Sequence, residues 1–286
     1  MIYIYIQMIT FMDGGMLFEL NKVYSDYGEY AVEHNKDLII DLYQSYIDAG
    51  CRYITTCNYC FKPKKVDNWE KYVKLTLDIV QPLRLKTKIF GSVPPYFDSY
   101  SINNTITKDF IKFYKSLISL LKGNVDIYLI ETATTYIEVE QICRIIRDID
   151  NETPIIVSIY PNDNNSKYIK EYYDLPICGL FMNCVPFDSM KEYYNNFFKP
   201  VIKKELLFGF YCNYINEKAY ALSQDVSNLQ SFKIQCKKEN NYGDFLEDLP
   251  FKDIVVGGCC GYGVDEICSL IKEFKNKGLL SGDSLK

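Results

Sequence analysis

The chain has 286 residues and a formal net charge of −5, from 32 Lys and Arg against 37 Asp and Glu. That balance, without a basic stripe, excludes the electrostatic footprint of a nucleic-acid binder, so no nucleic-acid partner is expected. The length suits one (β/α)8 barrel, typically ~250 residues, and a single domain over 1–286 is the expectation.

The opening apolar run, Ile2 to Met12, is too short to cross a bilayer and reads as a first buried strand. It carries neither a basic n-region nor a small-residue cleavage site, and the 11 cysteines are an odd number, which argues against a secreted disulfide framework. A cytoplasmic setting without membrane association is expected, with cysteines reduced or metal-bound.

In chain order, short apolar segments predict strands at Tyr3–Phe11, Tyr53–Cys57, Lys88–Val93, Asp126–Glu131, Ile155–Ile159, Gly179–Cys184, Leu206–Tyr211 and Asp253–Gly258. Amphipathic segments at Asp37–Ala49, Asn68–Leu83, Thr107–Leu121 and Ile137–Ile149 lie between them, and a last helical pattern begins near Val264. In the third, Phe110, Phe113, Tyr114, Leu117 and Leu121 recur at helical spacing behind Thr107, which fits an N-cap. Strands apolar on both faces and joined by helices predict a parallel sheet of α/β class. Eight of them predict a (β/α)8 TIM barrel, with an irregular seventh unit across Cys212 to Pro250, where Lys237 to Asn241 reads as an exposed loop.

The unusual residues fall at strand ends. Asp13-Gly14-Gly15 closes the first, Thr55-Thr56-Cys57 the second, Glu131-Thr132 the fourth, Asn183-Cys184 the sixth and Gly258-Cys259-Cys260 the eighth. In a TIM barrel the carboxyl ends of the strands form one face, which carries the active site, so these residues are expected to converge in an enzyme.

Adjacent Cys259 and Cys260, flanked by glycines that permit a sharp turn, suit two thiolates aimed at one soft metal ion, and Cys184 supplies a third. Three sulfurs with one open position describe a catalytic zinc site; equally, all three cysteines fit as small buried hydrophobes. Asp13 and Glu131 close apolar strands where a charge needs a cationic partner, such as an amino-acid ammonium, although Asp13 also fits a turn cap ahead of Gly14-Gly15. Cys57-Asn58-Tyr59-Cys60 invites a redox reading, but Cys57 packed and Tyr59 lining a pocket fit better. His34, the only histidine, sits among polar residues and reads as a surface residue.

Taken in order, these residues resemble the homocysteine S-methyltransferase family: Asp13-Gly14-Gly15 with Glu19, Tyr46 to Gly50 leading into Ile54 to Tyr59, and Gly91-Ser92 with Pro95-Tyr96. Glu131-Thr132, Asn183-Cys184 and Gly257 to Gly261 complete the set, the last two holding the family's three zinc thiolates in the expected order. The resemblance implies zinc (Zn2+) on Cys184, Cys259 and Cys260, homocysteine as methyl acceptor and methionine as product. It further implies that Asp13 and Glu131 hold the substrate ammonium, that Gly14 and Gly15 allow close approach, and that Thr56 and Tyr59 line the substrate pocket. An aromatic face there suits a small onium donor, with S-methylmethionine expected first, S-adenosylmethionine second and betaine last.

Four features depart from the family. Asn58 replaces a usual second threonine, and Tyr43 a common helix histidine. Tyr211 to Tyr214 lacks the usual proline and glycine, and the segment after Tyr96 lacks a Glu-Tyr-x-Gly stretch. These changes leave the alternative of a catalytically degenerate zinc-binding or thiol-redox protein on the same barrel.

Overall fold

Eight parallel strands close on themselves, which removes the sheet edges that an open arrangement leaves. In the computed structural model, which describes residues 8–201, 205–213, 245, 246, 248–251 and 253–280, the first four are β1 (Met8–Met12), β2 (Cys51–Thr55), β3 (Lys88–Val93) and β4 (Ile127–Ala133). The rest are β5 (Ile155–Ile159), β6 (Gly179–Pro186), β7 (Leu207–Asn213) and β8 (Asp253–Gly258). β1 pairs with β8 from Met8↔Asp253 to Phe11↔Val256, and this register closes the (β/α)8 barrel expected from the alternation.

β3, β5 and β8 have the predicted bounds, whereas β4, β6 and β7 each run two residues past the apolar pattern. The ladder is a backbone property and resumes beyond the polar residues Glu131, Thr132 and Asn183, in the pairs Ala133↔Ile159 and Pro186↔Asn213. β2 starts two residues earlier than predicted because Gly50, at φ 117°, ends the preceding helix and Cys51 pairs at once with Phe11. The predicted strand residues 3–7, Tyr214, the 237–241 loop and most of the irregular seventh unit lie outside the described residues.

The helices that matter for the site are α1 (Met16–Leu20), α2 (Glu29–His34), α3 (Lys36–Ala49), α4 (Trp69–Val80), α5 (Lys108–Leu121) and α6 (Tyr136–Ile149). Two short turns, α7 (Asp163–Ser166) and α8 (Ile169–Tyr172), then α9 (Phe187–Tyr193) and α10 (Val264–Asn276) follow. The predicted stripe of α5 is buried throughout, and Thr107 Oγ1 accepts from the Phe110 N–H at 3.1 Å, making it the N-cap. His34 ends α2 on the exposed surface. No described helix is long and apolar enough to cross a membrane.

Inside the barrel, Met12, Phe90, Leu129, Ile156, Phe181, Tyr211 and Val255 form their own buried cluster, with the Tyr53 ring stacked 4.6 Å from Phe90. These side chains fill the barrel as a packed core rather than a pore, so a ligand enters from the carboxyl-end face.

Glu19 links the first helix to the last. It is buried on α1, and Oε1 accepts from the Val264 N–H at 2.9 Å, satisfying one of the open donors at the start of α10. Lys22 Nζ lies 2.8 Å from its other oxygen, and Glu266 reaches back to the Gly263 N–H at 2.8 Å. A carboxylate at a helix N-terminus is stabilising on both hydrogen-bond and dipole grounds. Glu19→Ala is therefore expected to cost about 1–2 kcal/mol, read as a lowered thermal midpoint.

Candidate active site

The strand ends carry irregularities where the chemistry falls. Register shifts occur at Phe11/Met12, between Ile130 and Ala133, and between Asn183 and Pro186. Within the last two, Thr132 and Cys184 take left-handed backbone angles, φ 54° and 62°, which non-glycine residues rarely adopt. Such bulges re-aim side chains at a strand terminus. Asn183 holds both in place: its Oδ1 accepts from the Thr132 N–H at 3.2 Å and from Ser158 Oγ at 2.8 Å, and its Nδ2 donates to Thr132 Oγ1 at 2.9 Å. Thus β4, β5 and β6 are tied together immediately behind Cys184.

The three predicted cysteines converge, the Sγ atoms of Cys184, Cys259 and Cys260 lying within 4.8 Å of one another. In this structure Cys184 and Cys259 are joined as a disulfide with Cα atoms 5.6 Å apart, and with Cys260 the same sulfurs make up a group able to hold a metal ion. The ends of β6 and β8, which flank β7 in the barrel, bring the two Cα atoms within disulfide reach across 75 residues of sequence. Cys260 remains a free thiol, and burial pushes it up to about 11.

The turn that carries Cys259 and Cys260 is packed against the Asp13-Gly14-Gly15 loop. The Gly258 N–H donates to the Asp13 carbonyl at 3.2 Å, and the Gly15 N–H donates to the Tyr262 carbonyl at 2.8 Å. A Cβ on Gly14 would sit 2.2 Å from that same carbonyl oxygen, and one on Gly258 would sit 2.1 Å from the Tyr262 Cβ. Gly14→Ala is therefore expected to destabilise the fold by about 1–3 kcal/mol through displacement of backbone, measurable by urea denaturation.

Asp13, Thr56, Tyr59 and Glu131 face the thiols across a cavity of about 1140 Å³, which Gly14 and Gly15 also line. Asp13 is buried; its oxygens accept from the Thr55 N–H at 2.7 Å and Thr55 Oγ1 at 3.0 Å. Glu131 accepts a short hydrogen bond from Ser92 Oγ. Burial pushes Asp13 up to about 8 and Glu131 up to about 7, the Thr55 and Ser92 hydrogen bonds offsetting only part of that cost. Neither carboxyl is in an ion pair among the described residues, so the cavity presents two acids suited to an incoming cation.

The sequence profile of the homocysteine S-methyltransferase family matches residues 10–274. The chain belongs to the homocysteine S-methyltransferase family. It is accordingly a methyltransferase acting on homocysteine. No curated protein matches it by sequence. Among solved structures it is similar to the homocysteine methyltransferase MmuM from Escherichia coli, whose metallated form gives a TM-score of 0.71 at 17% identity over 93% of this chain and 96% of that one. The oxidised form gives 0.69 at 16% identity with coverages of 93% and 96%, and the apo form 0.66 at 18% with 92% and 95%.

The departures from the family pattern have structural uses. Asn58 is fully buried; its Oδ1 accepts from Thr56 Oγ1 at 2.6 Å and its Nδ2 donates to the Ser92 carbonyl at 3.0 Å. Since Thr56 Oγ1 also accepts from the Ser92 N–H at 2.8 Å, Asn58 fixes the residue that holds Glu131. Tyr43 donates to the Thr55 carbonyl at 2.7 Å, bracing the residue that holds Asp13. Asn213 Nδ2 donates to the Cys184 carbonyl at 2.9 Å. Cys57 and Cys60 are separate thiols, Cys60 buried and Cys57 3.6 Å from Thr76 Oγ1, in line with packing roles. Tyr59 Oη lies 2.8 Å from Ser99 Oγ in the segment after β3.

Proposed function

We propose that the chain transfers a methyl group from a sulfonium donor to homocysteine in a zinc-dependent reaction that forms methionine. The observation that carries this is the convergence of three sulfurs and two cation-seeking carboxyls on one cavity. The sulfurs fit zinc in type and number, leaving a fourth position, provided the Cys184–Cys259 pair is in its dithiol form. Cys184, Cys259 and Cys260 would hold the zinc, which when bound would lower the pKa of a substrate thiol and supply it as a thiolate at neutral pH.

The remaining work falls to the chain. Asp13 and Glu131, charged once a cation enters, hold the homocysteine ammonium, while Gly14 and Gly15 let the substrate approach the backbone. Thr56 and Tyr59 flank the substrate, and the Tyr59 ring offers an aromatic face to a cationic donor. In the transfer the new bond is from the homocysteine sulfur to the methyl carbon. The carbon–sulfonium bond breaks, and its electron pair leaves on the donor as a neutral thioether. With S-methylmethionine, acceptor and leaving group both become methionine. A single barrel domain in a reducing cytoplasm, which keeps the three thiols available, fits this chemistry.

The test is methionine formation by reduced, zinc-loaded protein with S-methylmethionine, S-adenosylmethionine and betaine supplied separately. Turnover is expected fastest with S-methylmethionine, and turnover with betaine alone overturns the donor assignment.

A further inference from the structure

Residues 99–101, between β3 and α5, are fastened over the thiol cluster at three successive positions. Ser99 Oγ is 2.8 Å from Tyr59 Oη, and the Ser101 carbonyl accepts from Thr134 Oγ1 at 2.8 Å. Between them Tyr100 donates its hydroxyl to Cys184 Sγ at 3.3 Å. The Tyr100 backbone lies in the left-handed region at φ 68°, an unfavourable conformation for a bulky residue. Its ring packs edge-on against Tyr160 with centroids 4.8 Å apart, and the Tyr160 N–H is itself held by the Ala133 carbonyl at 2.8 Å. A strained conformation persists only where its surroundings over-determine it, and such positions cluster at functional sites.

We infer that Tyr100 is a positioning residue of the metal centre, donating a hydrogen bond to the Cys184 sulfur when that sulfur is a metal-bound thiolate. This rests on the zinc-dependent reading above. A thiolate is a stronger acceptor than a disulfide sulfur, so the bond strengthens in the metal-loaded form. It orients the Cys184 side chain, and it withdraws charge from one ligand, leaving the metal more electrophilic toward the substrate sulfur.

Tyr100→Phe keeps the ring and its contact with Tyr160 and removes only the hydroxyl. The reduced protein, wild type and variant, is loaded with Co2+ as a spectroscopic probe, and zinc affinity is measured by competition with a chelator. In the variant the thiolate-to-cobalt charge-transfer band is expected to move to lower energy and zinc to bind about 10-fold more weakly, as for loss of an outer-shell partner. The thermal midpoint of the metal-free reduced protein is expected to stay unchanged, which separates positioning from general stabilisation. Identical spectra and affinities in wild type and variant overturn the role of Tyr100 alone. Failure of the wild type to take up either metal overturns the zinc-dependent reading and this inference with it.

Discussion

Cys260→Ser is expected to lose zinc and to lower homocysteine methylation roughly a thousand-fold, the equivalent of about 4 kcal/mol of transition-state stabilisation. A serine hydroxyl is a hard, protonated oxygen at neutral pH and does not replace a thiolate as a zinc ligand. Two sulfurs then remain where catalytic zinc sites use three protein ligands. Cys260 lies outside the Cys184–Cys259 link and only half-buried, so the exchange leaves that pair and the core intact. The buried clusters inside and around the barrel do not contain the Cys260 side chain. The thermal midpoint of the metal-free reduced protein is therefore expected to match the wild type. Wild-type zinc content and turnover in the variant contradict the three-thiolate site.

Glu131→Gln is expected to weaken homocysteine binding about 100-fold, or about 3 kcal/mol, while making the ligand-free protein more stable at alkaline pH. Burial sets the sign. In the unfolded chain these carboxyls ionise near their ordinary values, 3.8 for Asp13 and 4.5 for Glu131, whereas in the fold they hold their protons up to about 8 and about 7. Between those limits the native state binds more protons than the unfolded state, so stability falls as pH rises from about 4 to about 8 and levels off above. A bound ammonium reverses the preference by favouring the carboxylates. Substrate binding then releases protons and tightens as pH rises through 7 to 8. The Glu131→Gln exchange keeps an acceptor for the Ser92 hydroxyl and removes the charge, so the alkaline loss shrinks by about 1 kcal/mol after allowance for the solvent on the cavity side. Calorimetric titration with homocysteine and denaturation at pH 6 and pH 9 read both effects. Unchanged affinity together with an unchanged pH profile contradicts the role of Glu131.

The barrel and the convergence of its strand ends were legible because the strands that build them are apolar on both faces. The bounds of β3, β5 and β8 followed directly from that pattern. The ends of β4, β6 and β7 did not, because backbone pairing runs on through bulges that side-chain polarity does not report. Cys184, Cys259 and Cys260 were legible as an ordered set of motifs, yet the link between the first two depends on a Cα separation that a gap of 75 residues conceals. Asn58 and Tyr43 stood out in the sequence as departures, and their hydrogen bonds to Thr56, Ser92 and Thr55 show them bracing the residues that hold the two acids. Tyr100 carried no signal of its own. It is one of 26 tyrosines, in a polar segment, and only the fold brings its hydroxyl to Cys184.

The most direct measurement is zinc content beside homocysteine-dependent methionine formation from S-methylmethionine, on one sample of reduced wild-type protein, before chelation, after it and after zinc is restored. About one zinc per chain is expected, with turnover lost on chelation and regained with the metal. Full turnover by zinc-free protein contradicts zinc dependence and, with it, the role assigned to Cys184, Cys259 and Cys260.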